Sequence, residues 1–177
     1  MTLLDQMSRS DLSPDMNSYC FALESVGKTL RRLVQNTNLR ISNRKRQSLL
    51  ETWVTAVDEI LTRLEETPGL SPNNHFIRNY VEFLCILGEV DTANQVTIDF
   101  LRSNNQSGGP LVDNKTLSRV AVANAEVGNF DKARAHIASL SESLPFLEIK
   151  IANMQERAEN GEANPASGQP YAPPPPH

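Results

Sequence analysis

Apolar residues recur along this chain at intervals of three and four, the spacing that places them on one face of an α-helix. From Leu49 to Leu64 the stripe is Leu50, Trp53, Val54, Val57, Ile60, Leu61 and Leu64. Ser48 followed by Glu51 has the form of a capping box, and Pro68-Gly69 supplies the stop. This is the most amphipathic stretch, so Trp53 and Leu61 are expected to be buried. The next stripe is Phe76, Ile77, Tyr80, Val81, Leu84 and Leu87, ending at Gly88. Asp91 then caps a partner with Ala93, Val96, Thr97, Phe100 and Leu101, closed by the loop SNNQSGGP. Leu117, Val120, Ala121 and Val127 make another stripe, ending at Gly128, and Asp131 caps its partner with Ala133, Ile137 and Leu140. A last helix starts at Pro145, the favoured first position, and carries Leu147, Ile151, Met154 and Ala158. No window alternates as a half-buried strand does.

The stripes repeat. Asn73 to Gly88 has the same spacing as Asp113 to Gly128, and in both an Asp follows the Gly by three residues and an Ala by five. The Gly suits the left-handed conformation that reverses a chain between helices, and the small Ala lets the helices approach. A less regular copy starts at Ser13, with its Gly at Gly27, and LLDQMSRSDLSPD before it reads as the second half of a repeat. Helix pairs too small to bury their own faces stack on one another. The expected fold is therefore all-α, a right-handed solenoid of about three helix-turn-helix pairs plus a flanking half repeat, over residues 1–159. Residues 160–177 hold six of the eleven prolines and almost nothing apolar, and read as a disordered Pro-rich tail. It is either a solubilising end or a ligand for an SH3-type or WW-type domain.

Leu3-Leu4-Asp5-Gln6-Met7, Ser13-Pro14-Asp15 and Ser18-Tyr19 resemble the pentatricopeptide repeat, as do Leu64, Gly69 and Ser71-Pro72-Asn73, and, in a third copy, Asp113, Thr116-Leu117, Ala123, Ala125, Gly128 and Ala133. The resemblance covers residues 2 to about 142. The related tetratricopeptide repeat shares the Gly-then-Ala spacing but not the Pro-Asp-x-x-Ser-Tyr turn. The resemblance implies RNA binding in a mitochondrion or plastid, with bases read by the fifth and last residues of each repeat. Here those positions are Cys20 with Asn73, Arg78 with Asp113, and Ser118. Asn73 and Asp113 suit the last position; Cys20 and Arg78 are not the small polar residues of the family's base code. A further departure is an insertion near residues 28–47.

That insertion alters the electrostatic picture. The whole chain carries −4, but Ser25 to Leu50 holds Lys28, Arg31, Arg32, Arg40, Arg44, Lys45 and Arg46 with no acid. The window carries +7 and leaves −11 elsewhere. Such a cluster suits phosphate contact with counterion release, or else is a solvated helix face. Cys20 and Cys85 stand outside any CxxC and away from histidine, as half-buried thiols do. His75, His136 and His177 are scattered, and no metalloprotease, nucleophile-elbow, phosphate-loop or dinucleotide fingerprint occurs. No apolar run approaches the length that spans a bilayer, and the first residues lack a signal core. The half repeat and missing address are what a piece of a longer array would show. The expectation is a soluble, non-enzymatic module without cofactor, metal, small-molecule substrate or membrane partner, which contacts single-stranded RNA. The alternative is a tetratricopeptide-like scaffold for a protein partner.

Overall fold

The computed structural model describes residues 13–35, 43–107 and 112–161. Among them are seven α-helices and no strand: α1 (Met16–Gln35), α2 (Asn43–Glu66), α3 (Asn74–Leu87), α4 (Val90–Ser107), α5 (Asn114–Glu126), α6 (Phe130–Ala138) and α7 (Pro145–Glu159). The all-α expectation is met. The chain divides into two compact units, Met1–Ile86 and Leu87–His177.

In the first unit α1 packs on α2. The inward side of α1 is Tyr19, Leu23, Val26, Leu30 and Leu33, and that of α2 is Val57, Ile60 and Leu64, all buried. Trp53 and Leu61 are only half-buried, so the core side of α2 is rotated from the one expected. The Tyr19 hydroxyl donates to the Arg63 carbonyl at 3.2 Å and shares a 2.8 Å hydrogen bond with Thr67 Oγ1. This ties the start of α1 to the end of α2. Phe76, Ile77, Val81, Phe83, Leu84 and Cys85 are the buried residues of α3 in this unit.

In the second unit α5 packs on α4, α6 and α7, and α6 packs on α7. Ala121, Ala125 and Ala133 are small enough for Leu147 and Ile151 of α7 to seat against them. Beside this apolar cluster lies a polar one. Asn94 of α4 and Asn124 of α5 pair amide to amide at 3.1 and 2.8 Å, and both are buried. His136 Nε2 of α6 lies 2.8 Å from Asn94 Oδ1, so the neutral ring donates there and joins the third helix. Asn124 Nδ2 also donates to the Val120 carbonyl at 2.9 Å, and partners of this kind are what make such burial tolerable.

Several boundaries differ from the sequence reading for local reasons. Helix α2 begins at Asn43, five residues before Ser48, so Ser48 is interior and its carbonyl accepts from Thr52 Oγ1 at 2.8 Å. Gly27 does not end α1, which runs on to Gln35. Much of the 28–47 insertion is thus helix: the last two turns of α1 and the first of α2. Helix α4 runs through the SNNQS expected as loop. Asp91 and Asp131 lie in the first turns of α4 and α6 rather than at their caps, and Asn129 holds the N-cap position of α6. Their charge still favours the positive end of each helix.

Candidate nucleic-acid interface

Three residues phase the first-helix positions. Asp15 Oδ1 accepts from the Ser18 backbone N–H at 2.8 Å and the Ser18 hydroxyl at 2.7 Å. Asn73 Oδ1 accepts from the Phe76 N–H at 2.9 Å, and Asp113 Oδ1 from the Thr116 N–H at 2.7 Å. Each is followed at once by the first residue of α1, α3 or α5. The Pro-Asp-x-x-Ser-Tyr turn is therefore an N-cap in physical terms: a short acceptor side chain satisfies a donor that the helix leaves unpaired.

The Gly turns repeat as well. Gly88 and Gly128 share φ of +83°. The Val90 N–H donates to the Gly88 carbonyl at 2.9 Å, and the Phe130 N–H to the Gly128 carbonyl at 3.0 Å. Ala93 and Ala133, five residues after each Gly, are both fully buried.

In the first unit the cap of α3 meets the expected base-reading position of α1. Cys20 Sγ donates to Asn73 Oδ1 at 3.6 Å, and Asn79 Nδ2 donates to the Cys20 carbonyl at 3.4 Å. Positions five and last are thus brought together here, but Cys20 is only 1% exposed. Burial pushes its thiol pKa up, and the nearby Arg78 charge acts against that. Cys20 is thus a buried partner of the Asn73 side chain. Asn73 is exposed and Arg78 half-buried. In the second unit Asp113 is engaged in its cap, and the Ser118 Oγ is buried without a hydrogen-bond partner.

The basic run gathers at one end of a hairpin. Lys28, Arg31 and Arg32 lie in the C-terminal turns of α1, and Arg44, Lys45 and Arg46 in the first turn of α2, which holds no acid. Arg40 lies outside the described residues, as do the side chains of Arg44 and Arg46. Lys45 is exposed. Two cations have acidic partners that the window count hides. Lys28 Nζ lies 2.7 Å from Glu24 Oε1, and Arg31 Nη2 lies 2.6 Å from Glu82 Oε1 of α3. The Lys28 hydrogen bond holds the Glu24 carboxyl below its ordinary pKa. His75 Nε2 stands 3.9 Å from the other Glu24 oxygen.

Sequence reasoning passed over Phe21, which is 61% exposed on α1. Its signal was present: it falls on the polar side of the helix, out of step with Tyr19, Leu23, Val26 and Leu30. Elsewhere a groove between α6 and α7 is lined by Arg134, Ile137, Leu140, Glu142, Glu148 and Ile151. Arg134 there is already engaged by Asp131 and Gln155. No cluster of His, Cys, Asp and Glu suited to a metal occurs among the described residues, and none of the described helices is long and apolar enough to cross a membrane. Comparison with family models, with curated proteins and with solved structures gave no match, so the pentatricopeptide likeness stands on the caps, turns and spacings of this chain.

Proposed function

We propose that this chain is a short α-solenoid of pentatricopeptide-type hairpins that binds single-stranded RNA mainly through the phosphate backbone. The observation that carries the reading is the placement of six basic residues at the one end of the α1–α2 hairpin. Three of them occupy the first turn of α2, the positive end of its dipole. Basic residues there add to the positive end of the helix dipole, so that end favours an anion. Backbone N–H groups at such an end also suit phosphate oxygens. Unpaired RNA fits because its bases are open to side chains while its phosphates follow the basic track. The burial of Cys20 argues for backbone contact over base-by-base reading.

Replacing Arg44, Lys45 and Arg46 together with Gln tests this. The helix and its length are kept while three charges go. Affinity for unrelated RNA sequences should fall by similar factors, and the salt slope should flatten by up to about 2 units, at about 0.7 per lost contact. Unchanged affinity and slope would remove the basic run from the interface. A second reading, a scaffold for a protein partner, draws support from the Glu24 and Glu82 pairs, which already engage two of the cations. Under that reading the triple variant binds its partner as the wild type does and RNA is not bound.

A further inference from the structure

The outer side of α1 carries an exposed aromatic ring in line with two cations. Phe21, Ser25, Lys28 and Arg32 are spaced i, i+4, i+7 and i+11, which puts them on one helical face. All four are exposed, Phe21 at 61%. At the helical rise of 1.5 Å per residue, Lys28 lies about 10 Å along the axis from Phe21, and Arg32 about 6 Å further. Tyr19, Leu23, Val26, Leu30 and Leu33 are buried on the inward side, and Val34, thirteen residues further along α1, is the other exposed large apolar side chain of the helix. Phe21 is thus a single ring in a polar, cationic field. Such a face has too little apolar area to hold a greasy protein surface. It has what an unpaired nucleotide strand uses: a π-face for a base and positive charge for the phosphates beside it. The Lys28–Glu24 pair does not block this, because an exposed i,i+4 pair contributes little and exchanges readily for phosphate.

We infer that Phe21, Lys28 and Arg32 form a sequence-tolerant subsite for single-stranded RNA, with a base stacked on the Phe21 ring and neighbouring phosphates held by Lys28 and Arg32. The inference rests on the RNA reading above and adds to it a stacking contact outside the positions that the repeat likeness names. Stacking and charge leave different signatures. Loss of the ring weakens binding without releasing fewer counterions. Loss of the charges changes the salt slope.

The test is a fluorescence-polarisation titration of the full chain with a labelled oligouridylate at several salt concentrations. Phe21→Leu should weaken binding about ten-fold, the scale of one lost stacked base, and leave the salt slope as in the wild type. Phe21→Trp should bind at least as tightly as the wild type. Lys28→Gln with Arg32→Gln should flatten the slope by about 1.4. Thermal midpoints should match throughout, because these side chains are exposed. If the wild type binds and Phe21→Leu binds equally well, this inference is overturned while the RNA reading stands. If the wild type does not bind the RNA, the RNA reading itself fails. If polyglutamate binds as tightly and displaces the RNA without regard to Phe21, the face is a dock for acidic protein.

Discussion

At the scale of single residues, His136 shows how burial sets a pH response. Its pKa is lowered, first by desolvation and then by the Lys132 charge. Lys132 is itself held by Asp91 at 2.8 Å. The unfolded chain therefore takes up this proton at a higher pH than the folded one. The contribution of neutral His136 is complete above the ordinary histidine pKa of about 6.5. It declines as pH falls through that value towards the lowered folded one. Denaturation midpoints at pH 7.5 and 5.5 should drop more for the wild type than for His136→Gln, whose amide still offers a donor to Asn94. Equal drops would mean that the ring is open to solvent. Burial also decides which apolar substitutions matter. Leu64→Ala should cost about 2–5 kcal/mol, the range for emptied core sites, and Leu61→Ala clearly less, because Leu61 is half-exposed. Chemical denaturation of the two variants checks the order, and a larger loss for Leu61→Ala would reverse the assigned core side of α2.

At the scale of elements, the glycines separate turn from helix. Gly128 sits at φ +83°, and no atom lies within 4 Å of the place a methyl group would take, so Gly128→Ala meets only backbone strain, about 1–2 kcal/mol. Gly27 is inside α1 with equally open space, so Gly27→Ala should stabilise by about 0.5–1 kcal/mol. Opposite signs in paired unfolding curves are the expected result; a destabilised Gly27→Ala would indicate that α1 breaks there. The same pair shows what spacing can and cannot convey. The Gly88 and Gly128 turns were readable, because each depends on one residue type at one backbone conformation, but the caps were not: Ser48, Asp91 and Asp131 were expected to cap, and Asp15, Asn73 and Asp113 do so instead. Gly27 aligns with those turns but is helical, since a Gly in an aligned position is not forced to positive φ. The start of α2 at Asn43 was hidden because Asn43 to Ser48 carries no apolar residue, so the stripe that marks the helix begins only at Leu49 and Leu50. Asn94, Asn124 and His136 could not be seen as a group from sequence, for their contact depends on how α4, α5 and α6 pack. Asn124→Ala should cost at least about 1–3 kcal/mol, because it leaves the Asn94 amide buried with an unmet hydrogen bond.

At the scale of the whole molecule, charge is the feature on which the proposed function rests. An acidic chain keeps one strongly basic window, and folding collects six of its seven basic residues at one hairpin end. The window was legible in the sequence. Its partial neutralisation was not, since Glu82 is fifty-one residues from Arg31 and reaches it through α3. Nor was the exposed ring of Phe21, which gains meaning only beside the buried side of its own helix. Of the positions expected from sequence to read bases, Cys20 is buried and donates to Asn73, a contact that depends on how α1 packs against the start of α3. The proposed backbone-led binding of single-stranded RNA is best checked by the salt dependence of wild-type binding. Measurable binding of a mixed-sequence RNA is expected at low salt. The logarithm of affinity should fall linearly with the logarithm of salt, by about 0.7 for each phosphate engaged, and with little change between sequences. Absence of binding at low salt, or binding indifferent to salt, would contradict it.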